Sequence, residues 1–353
     1  MTTLQQLSQD FLSPTRRAAI DRWLRGRSKT LGLYSLAGSA PGMLFGAMPR
    51  RKEPVLVVAD SLDDAGYLYH DLSRILGEDD VLMFPSGFKR DIKYGQPDPP
   101  SEILRTEALN RWHSGKGAPQ YVVTYPEALA ERVASRKAID THTLHLETGK
   151  TTDMTDVVKW LRENGFTPVD YVYEPGQFAM RGSIIDIFGY SSELPLRVDF
   201  FGDEIDSIRL FNIETQLSER KLRAISVTSG IATGAKGGGE SLLSFIDPST
   251  IIAVRDAAYT VGRIKAISES DFSQSALIAG EGDVSALDRV VDPDEFARDF
   301  AGFRQIRFSS AARPEKPEGD TIDFGCTPQV IYHKNFELIA DSFTRFISEG
   351  YTI

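Results

Sequence analysis

Apolar and polar positions change rhythm twice along this chain. Between residues 4 and 25 the apolar side chains recur at helical spacing. This predicts one helix over Leu4 to Phe11 and another that begins after Pro14, passes through Ile20, Trp23 and Leu24, and stops at Gly26. From Thr30 the pattern becomes short unbroken apolar runs: Leu31 to Ala37, Val55 to Ala59, Val81 to Phe84 and Tyr121 to Thr124. Runs without a polar face fit strands covered on both sides, as in parallel sheets. Leu62 to Leu76 and Ile103 to Trp112 carry helical periodicity between them, so this part alternates strand and helix like a doubly wound α/β unit.

The second change comes after about residue 136. One helix, Met154 to Asn164, is followed by closely spaced strands, and the clearest pair is Pro195 to Phe201 with Glu204 to Phe211, joined by a tight turn at Gly202-Asp203. A glycine-rich stretch, Thr233 to Gly239, separates this region from another buried run at Thr250 to Val254. A polar connector from Ser309 to Asp320, broken by Pro314 and Pro317, precedes a last helix over Asn335 to Ser348. Tyr351-Thr352-Ile353 reads as the start of a strand, so the chain is expected to be part of a longer protein. The resulting division is a parallel α/β unit at 1–135, a small α+β unit at 136–220, an irregular subdomain at 221–319, and a return to the first unit at 320–353.

Composition narrows the function. The 353 residues are 41% hydrophobic and 25% charged, a balance that supports packed cores in more than one domain. The formal charge of −10 argues against a main task of unaided binding to DNA or an anionic membrane. A single cysteine, Cys326, excludes an intrachain disulfide and thiolate metal clusters, and fits a reducing, cytoplasmic setting. No run approaches the roughly 18 apolar residues of a membrane span.

Candidate chemistry is sparse. Gly38-Ser39-Ala40-Pro41-Gly42 follows a strand and precedes a helical stretch, where a phosphate-binding loop would sit. Such a loop needs a Lys on the terminal phosphates and a Ser or Thr on magnesium, but the positions hold Leu44 and Phe45, or Met43 and Leu44 if aligned on Gly42. Pro41 also removes a backbone donor. This is a structural turn with no cofactor expected. His142 and His145 lack carboxylates at ligand spacing, and Cys326 and His333 lack an orienting third group, so no metal and no catalytic residue is assigned. The carboxylates Asp199, Asp203, Glu204 and Asp206 surround a hairpin turn and read as solvated.

The hairpin carries a more informative pattern. Strand alternation turns Arg197, Asp199 and Phe201 to one face and Val198 and Phe200 to the core, and a neighbouring strand with Met180-Arg181-Gly182 adds a second arginine. Two readings follow. Arginine and an exposed aromatic together have the composition of a protein-binding hot spot; equally, the arginines pair with Asp199 or Asp186 beside a locally covered Phe. Residues 136–220 hold 9 Lys and Arg against 15 Asp and Glu, which disfavours nucleic acid as the partner.

The same segment resembles a known family. The runs YVYEPGQFAMRGSIIDIF at 171–188 and SELPLRVDFFGDEIDSIR at 192–209, with KNFEL at 334–338 after Pro328-Gln329, are similar to bacterial transcription-repair coupling factors, the Mfd family; the excision-repair protein UvrB has a looser version. The resemblance implies an N-terminal UvrB-homology module: a degenerate P-loop-NTPase-like α/β domain 1A (1–135), a domain 2 (136–220) that docks onto UvrA, a domain 1B (221–319), and a return to 1A (320–353). By motif position the docking residues fall on Arg181, Arg197 and Phe201, and substituting Arg181 or Arg197 is expected to weaken binding while leaving the fold intact. The inert loop at Gly38, Gly42, Leu44 and Phe45 fits an adaptor that is not an enzyme, which brings UvrA to stalled transcription complexes in nucleotide excision repair. The full-length protein is expected to be an ATP-dependent DNA translocase whose C-terminal part contacts this module. UvrB's damage-gripping hairpin is reduced here to Lys89 to Pro100, so DNA contact is expected to be weak or absent. The alternatives are an ATP-dependent UvrB-like remodelling enzyme and a regulatory domain whose docking face is masked in the full-length protein.

Overall fold

The computed structural model describes residues 3–51, 53–87, 98–114, 119–190, 194–230, 239–271, 290–315, 319–328 and 330–351. Most of the Lys89 to Pro100 segment, the glycine-rich stretch up to residue 238 and the last two residues of the chain lie outside them.

Two helices open the chain, α1 (Leu4–Phe11) and α2 (Pro14–Arg25). Thr3 and Gln6 close a capping box on α1, and Ser13 caps α2 ahead of Pro14 in the first turn. Then come β1 (Thr30–Tyr34), α3 (Ala40–Ala47), β2 (Val55–Val58), α4 (Leu62–Leu76), β3 (Val81–Met83), α5 (Pro99–Ser114), β4 (Tyr121–Thr124), α6 (Pro126–Ala130) and α7 (Arg136–Thr141). β2, β3 and β4 are buried at every residue, as their unbroken apolar sequences require.

The chain next builds a different unit. β5 (Thr143–Glu147) and α8 (Met154–Glu163) lead into β6 (Thr167–Pro168), β7 (Gln177–Arg181), β8 (Ile184–Phe188), β9 (Leu196–Phe201), β10 (Glu204–Phe211) and β11 (Ser218–Leu222). β6 to β11 form a six-stranded sheet in sequence order, antiparallel from β7 onward. The departing strand β12 (Ala224–Thr228) pairs with the entering strand β5, so both crossings between the units share one ladder.

The remaining elements are α9 (Leu242–Phe245), β13 (Ile251–Val254), α10 (Ala257–Ala266), α11 (Pro293–Gly302), β14 (Arg304–Phe308), β15 (Asp320–Asp323) and α12 (Phe336–Ser348). They correct the expectation of a separate subdomain at 221–319. β13 and β14 sit in the middle of the first sheet, whose parallel order is β15-β1-β14-β13-β2-β4-β3. The physical reason is the burial of Ile251 to Val254: four apolar residues with no polar face need a strand neighbour on each edge and cover on each side. β15 closes one edge beside β1. α12 keeps Phe336, Leu338, Phe343 and Ile347 exposed.

Apolar burial follows the same division. One large cluster fills the parallel-sheet unit, and a separate one packs α8 against one face of the six-stranded sheet through Val157, Leu161, Ile185, Val198 and Phe200. A third, small cluster of Val172, Ala179, Phe188 and Phe211 covers part of the opposite face.

Candidate functional site

The opposite face of the six-stranded sheet is ordered in rows. Cross-strand register places Gln177 beside Phe188 in one row, Ala179, Asp186, Arg197 and Arg209 in the next, and Arg181, Ile184, Asp199 and Ser207 in the one after. Phe201 lies one step further, beside Glu204 at the hairpin turn. Rows near Phe188 are covered by the small apolar cluster; toward Phe201 the face opens to solvent. Phe201 is 83% exposed, the extreme case on a strand whose alternate residues Leu196, Val198 and Phe200 are buried.

The two arginines meet at one carboxylate. Asp186 is 1% exposed, a lone acid in the strand Ile184–Phe188. Arg197 donates to it twice, from Nε to Oδ1 at 2.6 Å and from Nη2 to Oδ2 at 2.9 Å, and Nη2 also donates to Gln216 Oε1 at 3.0 Å. Arg181 pairs with the second oxygen of the same carboxylate from the other side. Ring faces complete the packing: Arg197 lies 4.2 Å from the Phe211 centroid and Arg181 4.7 Å from that of Tyr171. The hydrogen bonds it donates to Asp186 hold the Arg197 guanidinium above its ordinary pKa, against the opposing effect of burial, so the charge stays fixed. Arg209 pairs with Asp199 in the adjoining position.

This geometry bears out the pairing of the arginines with Asp186, leaves Phe201 uncovered where local cover was the alternative, and corrects one consequence. Arg181, Arg197 and Phe201 share a face, and both arginines are also Asp186 partners. With a side chain only 16% exposed, Arg197 is a structural tie, so replacing it cannot leave the fold untouched. Arg181, at 35%, is the more accessible. Sequence reasoning missed the Tyr171 and Phe211 rings and Gln216; the one available signal was Asp186 interrupting an otherwise apolar strand.

The turn after β1 leads into a helix packed in the core. Leu44 and Phe45 are fully buried, and Phe45 packs edge-on against Phe308 while its carbonyl accepts a 2.6 Å bond from Tyr121 Oη. Gly42 meets a packing need: a Cβ there would lie 2.9 Å from Asp71 Cβ on α4. A cavity of about 450 Å³ remains at the carboxyl ends of the strands, lined in part by Asp64, Asp71 and Arg255. Burial also raises the pKa of neighbouring Asp60, with Arg255 at 3.5 Å pulling it back. His142 and His145 separate onto Asn164 at 2.6 Å and Ser226 at 2.8 Å. Among the described residues no group of three or more His, Cys, Asp or Glu side chains could hold a metal ion, and no helix is long and apolar enough to cross a membrane.

Comparison with known proteins picks out one segment of the chain. Residues 144–230 match the family described as the UvrB interaction domain, the segment that builds the six-stranded sheet and its β5–β12 ladder. Transcription-repair-coupling factors are similar over a longer stretch. The protein of Bacillus subtilis is 29% identical over 197 residues, that of Escherichia coli 27% over 203 and that of Mycobacterium bovis 32% over 198. These matches cover 55–57% of this chain but only 16–17% of each relative, so the chain spans a small part of the length of the proteins it resembles. Residues 144–230 are therefore similar to the UvrB interaction domain, on a chain similar to the transcription-repair-coupling factors.

Proposed function

We propose that this chain is a non-catalytic adaptor, a UvrB-like module that docks UvrA and so recruits it to stalled transcription complexes in transcription-coupled nucleotide excision repair. The observation that carries the reading is the open end of the sheet face in the UvrB interaction domain, where Phe201 projects 83% exposed beside the Arg181–Asp186–Arg197 fork. An exposed aromatic next to pre-oriented guanidinium donors has the chemistry of an interface anchor. Asp186 and the two rings fix both arginines before the partner arrives, which reduces the side-chain entropy lost on association.

The module works in the cytoplasm as part of a longer ATP-dependent DNA translocase, and the remainder of that protein contacts it and controls access to the face. Leu44 and Phe45, where a nucleotide site needs Lys and a hydroxyl, are buried in the core, so this module does not hydrolyse nucleotides. DNA contributes little to its binding.

Calorimetric titration with purified UvrA tests the adaptor reading. Wild-type protein is expected to bind saturably, and Phe201→Ala to lose about 2 kcal/mol, roughly 30-fold in Kd. Arg181→Ala is the second probe, because Arg197 still satisfies Asp186 in that variant. A folded wild-type protein that gives no heat or mobility change with UvrA would defeat the proposal.

A further inference from the structure

We infer that the segment 169–174 is a second contact element of this face, and that it receives a lysine or arginine side chain of the partner protein. This rests on the reading of the sheet face as the UvrA-docking surface. Val172, 1% exposed, is anchored in the small cluster with Ala179, Phe188 and Phe211, and Val169 packs against the same cluster. Gln177 Oε1 accepts from the backbone N–H of Tyr173 at 2.9 Å and of Glu174 at 3.2 Å, pinning the following residues.

Alternation about the buried Val172 turns Tyr171 and Tyr173 outward, 49% and 64% exposed, and Tyr171 is braced on Arg181. The segment joins the docking face at that contact, and Arg181 stands two strands and one row from Phe201, about 12 Å over the sheet. Rigidly held tyrosines give contact area at low entropic cost. Charge selects the occupant. Asp170 and Glu174 are exposed on either side of the tyrosine pair; besides pairing with Asp186, Arg181 donates to the backbone carbonyl of Asp170 at 3.4 Å. Two exposed carboxylates flanking the open Tyr173 ring suit a cationic side chain.

The test titrates UvrA into the wild-type chain, Phe201→Ala, Tyr173→Ala and Glu174→Lys. Both new positions are exposed and act on their neighbours through backbone N–H groups that survive substitution. Tyr173→Ala is expected to weaken binding about tenfold, and Glu174→Lys by at least as much, with the Glu174 effect shrinking as salt rises. Unchanged affinity in both variants, with Phe201→Ala impaired, overturns the second element and leaves the docking face standing. Tighter binding by Glu174→Lys overturns it as well, since the partner group would then be acidic. No binding by the wild-type chain removes both readings together.

Discussion

Asp186 governs the behaviour of the two arginines at the residue scale. A carboxylate 1% exposed is tolerable only because Arg197 and Arg181 supply its counter-charge and fill its acceptor sites. The two substitutions therefore have different consequences. Arg197→Ala removes the bidentate partner and is expected to destabilise by about 1–3 kcal/mol, seen as a lowered midpoint in urea. Arg181→Ala is expected to cost less stability than Arg197→Ala, because the latter's two bonds to Asp186 survive, and to show its main effect in UvrA titration. Phe201→Ala is expected to change stability by no more than about 0.5 kcal/mol, since a side chain 83% exposed has little packing to lose. Equal midpoints for the Arg197 and Phe201 variants would refute this ordering.

At the scale of the element, the turn before β7 and the clasp behind α5 each depend on one residue. Gly176 has φ +85°, and a Cβ there would come within 2.3 Å of Tyr190 Oη. Gly176→Ala is expected to cost about 1–3 kcal/mol through left-handed backbone strain and displacement of Tyr190, read as a drop in Tm. In the parallel-sheet unit, Arg105 on α5 and Glu131 after α6 form a fully buried pair at 3.1 Å. Glu131 also accepts from the Gly87 N–H at 2.9 Å and from Ser86, while Arg105 donates to the Pro85 carbonyl at 2.8 Å and lies over the Phe84 ring. Burial pushes the Glu131 carboxyl above its usual range and the attraction of Arg105 opposes it. Removing one member strands the other charge, so Glu131→Ala is expected to destabilise by about 3–5 kcal/mol, measured by chemical denaturation.

At the scale of the whole molecule, the described residues form two main apolar cores, joined by the β5–β12 ladder and contacts such as the 2.9 Å bond from Asn110 Nδ2 to Thr228 Oγ1. Separate cores with a narrow junction predict two thermal transitions in calorimetry. Gly176→Ala should lower one and Glu131→Ala the other, each leaving its counterpart within about 2 °C, because sites this far apart with no shared partner act independently. A single transition moved by both variants would mean that the junction couples the units into one cooperative block.

Much of this architecture was legible in the residues. The helices Leu4–Phe11 and Leu62–Leu76, the strand Tyr121–Thr124 and the hairpin at Gly202-Asp203 follow from periodicity and turn chemistry, which are local and act on neighbours in sequence. Strand alternation likewise put Arg197, Asp199 and Phe201 on one face before any fold was known. The order of strands is another matter. Ile251 to Val254 announce a buried strand, but nothing in those four residues states that it lies between β2 and β14; that follows from which apolar edges remain to be covered once the rest of the sheet has formed. Sequence likewise left open whether Arg181 and Arg197 were free for a partner or tied to an acid. Tertiary structure decided it, because only the register of β8 between β7 and β9 brings Asp186 between the two guanidinium groups, and a buried carboxylate cannot leave its charge unpaired.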